Sequence, residues 1–472
     1  MVLSRLKAGG GIDHGKLVHV HQCRAKVLYL MGRSDRALAD VERGLAIAGR
    51  LGDRRAVAEF KQRLGDIHAV AGRYEAMRDA AGESLSIYRG IGDGKGQAAS
   101  LNSLGYVCHV LGDYPGAMEH YRRSLELQEE VGDRSGQATS LSNIGVVSWH
   151  TGDYPEAIDC FGRSLAIQEA AGDRKGKAIT LSYLGSVNAL LGDLPRAFDC
   201  HRASSMIREE IGDRYGQAES LNNLGFLHNS LGDYHLALEH YRRALDIQEE
   251  IGDLYGQAYS HNNIGVARGF LGDHASGLEN LTKALSLLQA IGDQKGQAFC
   301  LSNLARNHLE RSDPARAGEL LEKSQTLAEK LGIREVVRRN ELLFGELALS
   351  GRRPEAAERA GKALRLAEEL GSKSGRAGAL LLAARVASAG GEDGAAEGRF
   401  RESILLYKEL KQAHDLSIAQ YRLAEFLIGR KRHGEAADLL TQAREHFTVI
   451  GNAAWLEKAG SQLERMKAGH GA

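Results

Sequence analysis

Apolar residues along this chain recur at spacings of three and four, the period of a helix packed by one face. Leu278, Leu281, Leu285 and Leu288 show the stripe plainly. Sustained period-two alternation, the mark of a half-buried strand, does not occur, so the pattern predicts helices alone. These helices are punctuated at a fixed interval. Gly-Asp pairs stand at residues 52, 92, 132, 172, 212, 252 and 292, and a second glycine series sits midway, at 32, 72, 112, 152, 192, 232 and 272. Glycine accepts the left-handed turn that ends one helix, and aspartate caps the next. A forty-residue register means one structural unit copied in tandem.

Each unit reads as two helices, A and B. In residues 252–291, helix A runs through YGQAYSHNNIGVARGFL and helix B through ASGLENLTKALSLLQAI. Small residues mark where helices should touch. Ala98, Ala138, Ala178, Ala218, Ala258 and Ala298 open the A helices, and Gly105, Gly145, Gly185, Gly225 and Gly265 fall in their middles. A mid-helix glycine costs about 1 kcal/mol against alanine, so one in every unit needs a packing reason. Close approach of helix B is the expected one, with Ala117, Ala157, Ala197 and Ala237 as the matching small site.

These residues resemble the tetratricopeptide repeats. The motif can be read in order through Leu224-Gly225, Leu231-Gly232, Tyr234, Ala237, Tyr241 and Ala244-Leu245. It recurs from Leu104-Gly105 to Ser124-Leu125 and from Ile144-Gly145 to Ser164-Leu165. The unit is forty residues, not the family's usual ~34. That length and the GD-x-x-G-Q-A junction look most like the repeats of spindle-orientation adaptors and of related bacterial regulators, with kinesin light chains a more distant likeness. No acidic Gα-binding motif follows the repeats, so that activity is not implied. The resemblance implies an all-α, right-handed α-solenoid of about eleven helix-turn-helix units closed by a C-terminal capping helix. We expect a tail over 1–16, regular units over 17–332, divergent units over 333–452, and a capping helix and tail over 453–472.

The resemblance also implies that A helices line the concave surface. One inner row then holds Asn102, Ser142, Ser182, Asn222, Asn262 and Ser302, and the row beside it Ser103, Asn143, Tyr183, Asn223, Asn263 and Asn303. Around them stand Tyr106, Trp149, Phe226, Asn229, Tyr259, Phe299 and Arg306. Asparagine is a poor helix-interior residue, so its recurrence asks for a reason. An amide both donates and accepts, and can pair with a peptide's backbone whatever its sequence, while the aromatic residues offer pockets. The competing reading is that the amides, above all Asn143, Asn223, Asn263 and Asn303, bind neighbouring helices and stabilise the stack.

Composition narrows the rest. Lys plus Arg equals Asp plus Glu, 61 each, which gives no footprint for nucleic acid. The five cysteines are widely separated, with no C-x-x-C pair, as in a reducing compartment. The N-terminus lacks the apolar core of a signal peptide, and no run is long enough to span a membrane, so a cytoplasmic protein is expected. Alanine- and arginine-rich usage points to a bacterial source. No phosphate-loop, nucleophile-elbow or zinc-protease motif occurs, and the pairs His19/His21 and His109/His150 lack further ligands, so no enzyme, metal or cofactor is expected. The inner rows show Arg306 but not the set of cations that clamps an acidic C-terminus. The expected function is a scaffold that binds an extended peptide or partner segment. A peptide-responsive module controlling a separate effector and a self-assembling structural repeat, hence a homo-oligomer, are the alternatives.

Overall fold

The computed structural model describes residues 14–30 and 33–469. The expected N-terminal tail, apart from its last residues, and Gly32 lie outside them. Among the described residues there are twenty-three helices and no strand. The chain divides into two compact units, residues 1–191 and 192–472.

The first unit runs α1 (His14–Leu30), α2 (Ser34–Leu51), α3 (Arg54–Val70), α4 (Tyr74–Ile91), α5 (Gly94–Val110), α6 (Tyr114–Glu130), α7 (Arg134–Thr151), α8 (Tyr154–Ala171) and α9 (Arg174–Leu191). The second runs α10 (Leu194–Glu210), α11 (Arg214–Leu231), α12 (Tyr234–Ile251), α13 (Leu254–Phe270), α14 (His274–Ala290), α15 (Gln294–Glu310), α16 (Pro314–Lys330), α17 (Arg334–Ser350), α18 (Glu355–Glu369), α19 (Lys373–Ala389), α20 (Asp393–Glu409), α21 (Ala413–Gly429), α22 (His433–Ile450) and α23 (Ala453–Gly469). Odd-numbered helices are of type A and even-numbered ones of type B, with α23 closing the series. Within each unit every helix packs on its sequence neighbours, and successive A helices also touch one another.

The junction motif explains the register. At residues 252–258, Gly252 takes φ 70° and ends α12. Asp253 Oδ1 then accepts the Gly256 backbone N–H at 3.0 Å, capping α13. A Cβ at residue 256 would lie 2.3 Å from Asp253 Oδ2 and 2.6 Å from Gln248 Nε2, so glycine leaves room for both side chains. Gln257 Nε2 reaches back to the Gln248 carbonyl at 3.1 Å, adding a side-chain donor to an acceptor that already takes the Asp253 N–H at 2.8 Å. Ala258 is fully buried against helix B. Gln137 and Gln297 make the same return bond.

Between A and B the packing differs from the small-on-small contact expected. A Cβ on Gly105, Gly145 or Gly225 would lie 2.6–2.7 Å from the ring of Tyr121, Phe161 or Tyr241. Each glycine seats a fully buried aromatic ring from helix B, four residues beyond the buried alanines 117, 157 and 237. A second tie is polar. Ser124, Ser164, Ser324 and Ser403 each donate from helix B to the carbonyl of Ala98, Ala138, Ala298 or Ala377 at 2.8 Å.

In the second unit the chain also returns on itself. Asn452, 1% exposed, donates from Nδ2 to the Phe270 carbonyl at 2.7 Å and accepts the Trp455 N–H at 3.1 Å. His414 on α21 sits with its ring centroid 4.9 Å from that of Phe270 and 6.2 Å from that of Tyr234. The last repeat thus docks on the turn that follows α13.

Gly225→Ala should lower stability by about 1–3 kcal/mol through overpacking against Tyr241, although alanine is the better helix former. Gly162→Ala, with open space around the new methyl, should raise it by up to about 1 kcal/mol. Urea unfolding of both variants checks the pair. Asn452→Asp keeps the cap but removes the donor to Phe270, and should cost about 1–3 kcal/mol in the same measurement.

Candidate inner-face binding site

The expected residues all lie on A helices, and the hydrogen bonds show what their side chains already do. In the first unit Asn102 Nδ2 donates to Ser140 Oγ at 3.0 Å, and Ser140 lies 2.8 Å from Gln128 Oε1, to which it donates. The second unit repeats the device, with Ser260 donating to Gln248 Oε1 at 2.7 Å and lying 3.1 Å from Asn222 Oδ1. Asn303 Nδ2 donates to Asn262 Oδ1 at 3.0 Å. The row containing Asn102, Asn222 and Asn262 therefore links successive A helices. Asn143, Asn223, Asn229 and Asn263 are half-buried, and the Asn229 Oδ1 has no hydrogen-bond partner in the structure.

Aromatic residues divide in the same way. Tyr106 on α5 is 42% exposed and Phe226 on α11 is 58% exposed, in the same register of their repeats. Both stand on helices whose neighbouring leucine and valine side chains, Val107 and Leu227, are fully buried. Trp149 is half-buried, its ring stacked 5.3 Å from that of His150. Tyr259 is half-buried and donates its hydroxyl to Asp293 at 2.8 Å. The Phe299 ring lies 5.9 Å from the Arg339 guanidinium.

Arg306 is exposed, and it is not alone. Its row continues through Glu346, Arg385 and Glu425 at steps of 40, 39 and 40. Arg385 Nη1 lies 3.7 Å from Glu346 Oε1. Burial lowers the Arg339 pKa and the charge of Arg306 lowers it further, so the two guanidinium groups repel one another. The signal that could have found these residues was the single deletion in the unit after Gly332, which shifts the register of everything beyond it.

A recess of about 540 Å³ in the first unit lies between α1, α3 and α5, lined among others by Gln22, Lys26, Glu59, Arg63, Asp66 and Ser103. Gln22 donates to Glu59 at 2.6 Å and Arg63 to Asp66 at 2.8 Å. Burial raises the pKa of both carboxyls. Sequence reasoning did not single these out because their units follow the motif less closely.

Among the described residues no group of three or more His, Cys, Asp or Glu is placed to hold a metal, and no helix is long and apolar enough to cross a membrane. His109 Nε2 and His150 Nδ1 are 2.8 Å apart in an aromatic cluster with Tyr114 and Trp149.

A family model described as tetratricopeptide repeat matches residues 55–130, 96–170, 136–210, 176–250 and 256–330, which together span more than half of the chain. Among solved structures, the apo form of the quorum sensor NprR from B. thuringiensis aligns with a TM-score of 0.56 and 12% identity, covering 75% of this chain and 99% of that one. Aspartyl phosphate phosphatase F from Bacillus subtilis aligns with a TM-score of 0.49 and 14% identity, covering 75% and 95%. At such identities the likeness is one of fold. No curated protein matches the sequence.

Burial, and then the adjacent His150, hold the His109 pKa below its ordinary value of 6.5. The unfolded chain therefore takes up this proton first. The stability linked to His109 is fully present above the unfolded value and is lost as pH falls through the folded one. The urea midpoint should fall on acidification from neutral to about pH 5, and His109→Gln should fall less.

Proposed function

The chain belongs to the tetratricopeptide repeat family, and on that premise we propose that it is a non-enzymatic interaction module binding an extended peptide or partner segment along the inner faces of its A helices. Repeats of this family are in general scaffolds without a reaction of their own, and the fold implies protein–protein interaction or peptide sensing. The observation that carries the finer reading is the pair of bare rings at Tyr106 and Phe226. Each stands in the same repeat register, on an otherwise well-packed helix, with about half of its surface in water. Large exposed aromatics are the usual anchors of interfaces.

The amides take a shared role in this reading. Asn102, Asn222 and Asn262 spend part of their hydrogen-bonding capacity on the next A helix, which fixes each amide's orientation. The rest of that capacity serves a bound backbone, together with what Asn143, Asn223, Asn229, Asn263 and Asn303 have beyond their own contacts, in Asn229 the Nδ2 and not the buried oxygen. Trp149 in the first unit, and Tyr259, Phe299 and Arg306 in the second, stand on the same A helices and select side chains within their own unit.

Peptides selected from a random library on the intact chain provide the test. We expect Tyr106→Ala or Phe226→Ala to weaken the selected peptides about tenfold or more without changing the fold by circular dichroism. Peptides that bind both variants as tightly as the parent chain would place binding elsewhere and overturn the proposal.

A further inference from the structure

The repeats provide an internal comparison at the second residue of each A helix. On α3 and α5 of the first unit this position is cationic, and its charge meets the capping aspartate of the next A helix, while α7 carries Ser135 there. Arg55 Nη2 lies 3.1 Å from Asp93 Oδ2, and Lys95 Nζ lies 3.5 Å from Asp133 Oδ2. On α11 and α13 of the second unit the same position holds Tyr215 and Tyr255, and a cation returns as Lys295 on α15. The capping aspartates remain, as Asp253 and Asp293, each accepting a backbone N–H at its helix start. Among the described residues neither has a lysine or arginine partner. Asp293 receives the Tyr259 hydroxyl in its place.

What replaces the cation is an exposed aromatic shelf. Tyr215 is 59% exposed, Tyr255 53% and Leu254 48%. The Tyr255 and Tyr259 ring centroids are 4.7 Å apart. Burial raises the Tyr215 phenol pKa, the charges of Asp253 and Glu219 and the Tyr255 phenol raise it further, and Arg208 opposes them. Nearby cations are engaged elsewhere. Arg208 pairs with Glu219 at 2.9 Å, and Arg214 pairs with Glu250. Aromatic faces beside carboxylates form the complement of a basic side chain, which gains from both.

We propose that Tyr215, Tyr255 and Asp253 form a docking surface for an arginine or lysine side chain of a peptide partner, which supplies from outside the charge that Arg55 and Lys95 supply from within. The proposal rests on the peptide-binding reading only for the partner being a peptide. Tyr255 lies one turn before Tyr259 on the same helix, so a segment crossing the inner face can reach both.

The chain labelled with 3-fluorotyrosine, its resonances assigned by Tyr215→Phe and Tyr255→Phe variants, provides the test by fluorine NMR. The probe is a capped Gly-Gly-Arg-Gly-Gly peptide, compared with the same peptide carrying neutral citrulline. The arginine peptide should shift the Tyr215 and Tyr255 resonances in a saturable way, and the citrulline peptide should not. Asp253→Asn should weaken the response about threefold to tenfold. Tyr215→Lys should abolish it, because the new ammonium takes the place at Asp253 that Lys95 takes at Asp133. Equal shifts with citrulline, no shift, or an undiminished Tyr255 response in Tyr215→Lys would overturn the proposal. The arginine response should survive Phe226→Ala. If library-selected peptides bind but move neither tyrosine, this surface fails while the inner-face reading stands.

Discussion

The junction between one repeat and the next is the constraint on which the rest of the structure depends. A left-handed glycine stops helix B, an aspartate caps helix A, and a glutamine returns to the carbonyls just left behind. Each bond closes within about ten residues, so the geometry needs no distant partner to set it. Because the same junction recurs every forty residues, equivalent positions on successive A helices come into line. The links from Asn102 to Ser140 and from Asn262 to Asn303 exist only because that alignment is kept.

Packing within a repeat follows from the small residues the junction places. The glycine in mid-helix A admits an aromatic ring from helix B, and a serine one turn further along B binds the carbonyl of the buried alanine. One contact is apolar and removes a large ring from water, while the other satisfies a hydroxyl that burial would otherwise leave unpaired. Together they fix how far B can slide along A. The outward side of A relative to this core is left to polar and aromatic residues that the repeat itself does not need.

Variation on that side is what distinguishes one unit from the next. A repeat frame tolerates substitution at positions that touch neither the junction nor the ring seat, so neighbouring units can differ there at little structural expense. The contrast between Lys95 and Tyr255 is an example. In the first case a lysine meets the next capping aspartate, and in the second a phenol stands in the lysine's place while Asp293 takes the Tyr259 hydroxyl. The alternating row from Arg306 to Glu425 is another. Its charges alternate in sign along the stack, and the Arg339 pKa is lowered first by burial and then by the charge of Arg306.

By itself the sequence determined the helices, their ends and their pairing, since caps, glycine turns and apolar stripes act over a few residues and repeat without slip through 292. It also marked Tyr106, Phe226 and the asparagine rows as residues the core does not explain. Only the tertiary structure decided how those residues are used. That Asn102 and Asn222 spend bonds on the next helix, that the glycines seat rings and not alanines, and that Asn452 binds the carbonyl of Phe270 are contacts between residues up to 182 positions apart. Such contacts depend on small rotations accumulated from repeat to repeat. A local code fixes each rotation to within a few degrees but does not spell out where their sum brings two distant side chains.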